Sequence, residues 1–220
     1  MTAVCEVVRL GRLDYAAAWA LQNELVEARA RDSITDRLLL VEHPHTYTFG
    51  SAAGEDHLLL DDEALRARGI AVFRADRGGD ITYHGPGQLV GYPILKLESA
   101  RGELRTDVIG YLRGLERMII TVLATYGITA GTIAGLTGVW VGDEKIAAIG
   151  GRMTARAVTK HGFAINLNTD LRYFDGIVPC GIHDKGVTSL AALLGAPIDV
   201  DAFTRRLIDA FGTAFGRAMV

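Results

Sequence analysis

Arg77 to Tyr92 reads R-G-G-D-I-T-Y-H-G-P-G-Q-L-V-G-Y, and the rest of the chain is most easily placed around this stretch. Gly78, Gly79, Gly87 and Gly91 let a second backbone or a ligand come close, because glycine admits positive φ and carries no side chain. Arg77, Thr82, Tyr83, His84 and Gln88 add hydrogen-bonding groups to the same segment. Upstream, I-A-V-F-R-A (70–75) has strand character. Downstream, Q-L-V-G-Y-P-I-L-K-L (88–97) has it too, with Pro93 pointing to an edge or a bulge because proline cannot donate to a ladder. A polar, glycine-rich connection between two strands predicts a wall against which something is held. A solvated loop has the same composition, so the glycines alone do not decide the matter.

Outward from that stretch, R-L-L-L-V-E (37–42) reads as a buried strand that stops at His43-Pro44-His45. Two histidines flanking a proline suggest a metal, but no third ligand of suitable spacing follows, and none is assigned. The opening V-C-E-V-V-R-L alternates like a strand, and Asp14 N-caps a helix from Tyr15 to about Arg31 with Ala18, Leu21, Leu25 and Ala28 on one face. Asp61 or Asp62 caps a short helix that Gly69 closes. From Thr106 to Tyr126, Val108, Leu112, Leu115, Ile119, Val122 and Tyr126 share a helical face, with Arg113, Glu116 and Arg117 on the polar side. T-G-V-W-V and K-I-A-A-I-G flank a turn at Gly142-Asp143-Glu144, which puts Lys145 at the mouth of a hairpin. A further strand spans 157–167, and Asp199 or Asp201 caps a last helix carrying Phe203, Leu207, Phe211 and Phe215. This pattern predicts one α/β (α+β) domain over 1–220, a mixed β-sheet flanked by helices.

A hydrophobic fraction of 49% over 220 residues suffices for a core, and a net charge of −3 argues against nucleic acid as partner. Gly127, Gly131 and Gly135 lie in an uncharged segment with the spacing of membrane-helix dimers. The helix before Gly127 is amphipathic and the remainder is too short to span, so no membrane segment is expected. The N-terminus lacks the order of an export signal, and two distant cysteines, Cys5 and Cys180, give no disulfide framework, so a reducing cytoplasmic location is expected.

Cys180, between Pro179 and Gly181 in an irregular segment, has the surroundings of a presented thiol. A thiolate needs a partner, and the histidines, Lys145, Lys160 and Lys185 are all candidates that spacing does not separate. His183 and Asp184 offer a further pair, ranked below Lys145 because the local spacing turns those side chains apart.

The 77–92 stretch resembles the signature of the lipoyl(octanoyl) transferases, which move an octanoyl chain from acyl carrier protein to lipoyl domains. K-I-A-A-I-G (145–150), H-G-F-A-I-N (161–166), P-C-G-I (179–182) and V-T-S-L (187–190) agree in order with that family. The resemblance implies a biotin/lipoate protein ligase-like fold, Cys180 as nucleophile and Lys145 as its partner. It implies an acyl site walled by Arg77, Gly78, Gly79, Asp80, Ile81, Thr82, Tyr83 and His84, by Ala148, Ile149 and Gly150, and by Gly162, Phe163 and Ala164. The implied donor is octanoyl-acyl carrier protein. The implied acceptors are lipoyl domains of 2-oxoacid dehydrogenase E2 subunits and the glycine cleavage H protein, with no cofactor.

Glu144, directly before Lys145, departs from the family pattern, and an acid there is expected to hold that amine protonated. Because acyl carrier proteins are acidic, Arg74, Arg77, Arg152, Arg156 and Lys160 are expected to form a basic surface near the site. Two competing readings are an ATP-dependent lipoate or biotin ligase of the same fold and a non-catalytic carrier-binding module.

Overall fold

The computed structural model describes residues 2–97, 107–178 and 185–220, so Cys180, His183 and Asp184 lie outside the described residues. The chain opens with β1 (Ala3–Arg12), and Asp14 precedes α1 (Tyr15–Ala30) as expected, although its side chain makes no capping bond. β2 (Asp36–Glu42) ends before Pro44, and β3 (Thr46–Phe49) follows. Asp61 accepts from Ala64 N–H to start α2 (Asp62–Ala67), which leads to β4 (Ala71–Arg74). The glycine-rich segment then delivers β5 (Thr82–His84) and β6 (Gln88–Ile94).

Asp107 caps α3 (Val108–Ala124), and the hairpin strands β7 (Gly131–Ile133), β8 (Leu136–Val141) and β9 (Glu144–Met153) follow. Next come β10 (Thr159–Asn166), β11 (Gly186–Val187), α4 (Leu190–Leu194), α5 (Val200–Phe215) and β12 (Arg217–Met219).

The large sheet runs β12-β1-β2-β6-β10-β9-β8-β7, with β11 also pairing β9. It is mixed: β12, β1 and β2 are parallel, whereas β2, β6, β10, β9 and β8 pair antiparallel in turn. A second sheet of three strands, β4-β3-β5, was not expected. β4 was expected as a strand, but its partners β3 and β5 are only four and three residues long, too short for a period-2 pattern to register.

One face of the large sheet packs on α3 and α5 through Leu115, Ile119, Val122, Phe203, Leu207 and Phe211, all buried. The other face carries α1 through Ala18, against Leu39, Val41, Val90, Tyr92 and Ala164. α1 buries Tyr15, Ala18, Gln22 and Val26, a stripe rotated from the one expected, with Leu21 and Leu25 only half-buried. Gln22 stands on that stripe because its Oε1 accepts from His161 N–H at 2.9 Å.

Of the edge or bulge expected at Pro93, the edge is not found. Pro93 lies in a central strand between β2 and β10. The β6–β10 ladder stops at Gly91 opposite Phe163, and Thr159 Oγ1 donates to Pro93 O at 2.6 Å where the ladder is missing. Among the described residues, no helix is long and apolar enough to cross a membrane.

Candidate active site

A cavity of about 370 Å³ opens on the α1 side of the large sheet. Strand periodicity selects its floor: Val90 and Tyr92 from β6, Gly162, Ala164 and Asn166 from β10, and Ala148 and Gly150 from β9. Small residues on β9 and β10 leave the room. Gly150 also lets the glycine-rich segment close over the strand, since a Cβ there would stand only 3.0 Å from Gly78 O.

Most of the residues named from the sequence line this space. Arg77, Gly79, Asp80, Ile81, Thr82 and His84 come from the 77–84 wall, and Lys145, Ala148, Ile149, Gly150, Gly162, Phe163 and Ala164 from β9 and β10. Gly78 and Tyr83 are not among the lining residues. Gly78 rests on the backbone of β9, and Tyr83, one residue out of phase with Thr82 and His84, points into the second core. There its hydroxyl lies 2.7 Å from His45 Nδ1 and its ring stacks on Tyr173.

Lys145 reaches the cavity because of a β-bulge. Trp140 opposes Lys145, but the next residue back, Val139, opposes Ala147, so Ile146 is an extra residue in β9. Ile146 and Ala147 both join the α3-side core, while Lys145, Ala148 and Gly150 all face the cavity. Strict alternation would have put Lys145 and Ala148 on opposite faces. Lys145 is buried, at 8% exposure, with Nζ 4.7 Å from the centre of the Trp140 ring. Beyond Ile165, β10 no longer pairs β9, and β11 takes up the pairing with Val187 opposite Lys145. Glu144 is exposed and directly precedes Lys145 at the start of β9.

A hydrogen-bonded chain runs along the wall from Arg77 to the Lys145 backbone. Arg77, 8% exposed, donates from Nε to Thr48 Oγ1 at 3.2 Å and from Nη2 to Thr48 O and Oγ1. Gln88 Nε2 donates to Tyr83 O (3.1 Å) and Asn166 Oδ1 (3.0 Å), so its Oε1 is the acceptor facing His84 Nδ1 at 2.8 Å. His84 therefore carries its proton on Nδ1. Burial, assisted by neighbouring His43, pushes the His84 pKa down to about 3 and keeps the ring neutral. Asn166 Nδ2 donates onward to Thr188 O at 3.0 Å, and Thr188 N–H to Lys145 O at 3.0 Å.

Sequence reasoning missed Tyr15, Tyr92 and His161, which line the cavity at the Gly162 end. Tyr15 stacks on His84 at 5.9 Å, and Tyr92 hydroxyl donates to His43 Nε2 at 2.7 Å while His43 Nδ1 donates to Leu13 O. His161 Nε2 donates to Asp76 Oδ1 at 2.7 Å. Burial lowers its pKa to about 4 despite that carboxylate. Burial would raise Asp76, but the bonds from His161 and Lys160 outweigh it and hold the carboxyl at about 2. His161 also adopts φ of +57°, a conformation disfavoured for a side chain of this size. The sequence signals for these three were Tyr15 at the first turn of α1, Tyr92 at the end of the 77–92 stretch and the histidine preceding Gly162.

Four of the five cations named for a basic surface have carboxylate partners, while Arg74, Arg152 and Arg156 keep exposed side chains. Arg152 and Lys160 both bind Asp76, Arg74 binds Glu55, Arg156 lies 3.7 Å from Glu27, and Arg77 is buried in the wall.

Residues 14–212 match the family profile of the lipoyl protein ligase A/B catalytic domain. A protein of Chloroflexus aurantiacus named octanoyltransferase is 51% identical over 208 residues, covering 94% of this chain and 92% of that one. One of Solibacter usitatus with the same name is 50% identical over 216 residues, covering 98% and 95%. The solved structure of a putative lipoate protein ligase from T. acidophilum superposes with a TM-score of 0.75 at 17% identity, covering all of this chain and 88% of that one. That last likeness speaks to fold alone.

Proposed function

Because the chain belongs to the lipoyl protein ligase A/B catalytic domain family, we propose that it is an octanoyltransferase working through a Cys180 thioester, with Lys145 as proton carrier. Near-half identity to octanoyltransferases across nearly the whole chain carries this reading. Two placements support the residue roles. The bulge turns Lys145 into the cavity, and Phe174 and Val187, which flank the segment holding Cys180 in sequence, both line that cavity.

In the first half-reaction the Cys180 thiolate attacks the thioester carbonyl of the octanoyl carrier. The S–C bond to the carrier breaks, and the departing carrier thiolate takes the Lys145 proton. In the second half a neutral lysine of the acceptor attacks the acyl-enzyme, Lys145 takes the proton released by the nitrogen, and Cys180 leaves as thiolate. Lys145 thus ends protonated, as it began. Thioester exchange followed by amide formation runs without nucleotide. Burying about six methylenes of the chain contributes roughly 5 kcal/mol. The floor of Ala148, Ala164 and Val90 is the apolar surface available for them.

The acceptors are lipoyl domains. The donor is octanoyl-acyl carrier protein, the acceptors include E2 subunits of 2-oxoacid dehydrogenases and the glycine cleavage H protein, and the compartment is the cytoplasm. The test is incubation of the protein with octanoyl-acyl carrier protein and a lipoyl domain without ATP. One octanoyl group is expected on the domain by mass. Modification that appears only with free octanoate and ATP would make the protein a ligase instead.

A further inference from the structure

Glu116 was expected on the solvent side of α3 with Arg113 and Arg117, but it is only 1% exposed and reaches into the sheet. Its Oε2 accepts from Arg113 Nη1 at 2.6 Å, and its Oε1 accepts from the backbone N–H of Gly138 at 3.1 Å. A carboxylate taken so far out of water persists only with such partners.

Gly138 is an unusual point in β8. Its φ is +131°, which a residue with a side chain adopts only under strain, and the register of β8 slips on both sides of it. Against β7 the slip falls between Leu136 and Trp140, and against β9 it is the bulge at Ile146. A Cβ at Gly138 would stand 2.8 Å from Ala147 O and 3.3 Å from Lys145 Cε. The Gly138 backbone is therefore what the Lys145 stem rests on, while Trp140, two residues further along β8, faces the ammonium.

We infer that Glu116 is a positioning residue for Lys145, acting through the Gly138 N–H and the β8–β9 bulge from the opposite side of the sheet. This rests on the assignment of Lys145 made above. The carboxylate pins the irregular strand where the ladder does not, and with it the surface on which the Lys145 side chain lies in the cavity. A misplacement of about 1 Å at a proton-transferring group is enough to cost on the order of a hundredfold in rate.

The test measures kcat and KM for octanoyl transfer per mole of folded protein, in wild-type and Lys145→Ala backgrounds. Glu116→Gln keeps an acceptor for Gly138 and is expected to stay within about threefold of wild type. Glu116→Leu removes it and is expected to lose at least about tenfold in kcat with little change in KM, in the pattern of a lost transition-state contact. Glu116→Asp keeps the charge and the pairing with Arg113 but withdraws the acceptor by one methylene. It serves if the leucine variant does not fold, and is expected to lose kcat likewise. In the Lys145→Ala background, followed by single turnover, neither Glu116→Leu nor Glu116→Asp should cost anything further.

Equal losses in both backgrounds would reduce Glu116 to a stabilising contact and overturn the inference. So would a melting temperature that falls while kcat per folded molecule stays unchanged. Wild-type transfer by Lys145→Ala alone would instead remove the assignment of Lys145, and this inference with it.

Discussion

Lowering the pH below 6.5 should destabilise this protein well before its carboxylates protonate. His84 and His161 are buried and neutral, with pKa values of about 3 and about 4 in the folded chain against 6.5 for an ordinary histidine. Above pH 6.5 neither state of either ring binds a proton, and stability is unaffected. Below it the unfolded chain takes up protons that the folded chain refuses, so unfolding is favoured by about 1.4 kcal/mol per pH unit for each ring. By pH 4 that is roughly 3 kcal/mol per histidine, and two of them approach the whole stability of an ordinary domain, about 5–15 kcal/mol. His43, also lowered by burial, adds in the same direction.

Asp76 does not confuse the window, because its depressed pKa of about 2 withdraws stability only as the pH falls below the ordinary carboxyl value of 3.8. Urea unfolding followed by fluorescence at pH 7.5, 6.5, 5.5 and 4.5 reads the slope directly. In His161→Gln, whose amide can still donate to Asp76, the slope should drop by about 1.4 kcal/mol per unit. A flat profile between pH 6.5 and 4.5, or an undiminished slope in the variant, would refute the argument from buried neutral imidazoles.

Two other perturbations follow from the cavity. Ala164→Leu projects three more carbons from the floor opposite Ala148 and removes room for two or three methylenes. At about 0.8 kcal/mol each, it should turn preference from octanoyl to hexanoyl donors by roughly 2 kcal/mol, read by competition between the two carriers. Unchanged chain preference would mean the acyl group lies elsewhere. Arg77→Met strips the charge-assisted bonds from the buried Thr48 carbonyl and hydroxyl and should cost about 3 kcal/mol in urea unfolding, together with a higher KM for donor. Full stability in that variant would show that the 77–81 wall does not depend on this anchor.

The long, strongly patterned elements were legible in the sequence. α3 and α5 are amphipathic over four turns, and the Gly142 turn fixes the β8–β9 hairpin. The cavity wall was legible as a glycine-rich block, and its resemblance to known sequences named most of the lining residues. What escaped were departures from periodicity. The extra residue at Ile146 resets which side of β9 faces the cavity, and no hydropathy pattern announces a bulge. Glu116 and Gln22 are polar residues on buried stripes, kept there by single backbone donors far away in sequence, at Gly138 and His161. Pro93 lies in the middle of the sheet because Thr159 supplies a hydroxyl where the ladder is broken. The basic residues near the site were visible, but their carboxylate partners were not, since Asp76 gathers Arg152 and Lys160 from strands more than seventy residues away.

The central claim is that an octanoyl group passes through Cys180 with Lys145 moving the proton. Intact mass spectrometry after mixing with octanoyl-acyl carrier protein, followed by peptide mapping, tests it most directly. One octanoyl adduct is expected on the peptide bearing Cys180, absent in Cys180→Ala, and transferred to the lipoyl domain far more slowly in Lys145→Ala. An adduct on another residue, or undiminished transfer by Cys180→Ala, would contradict it.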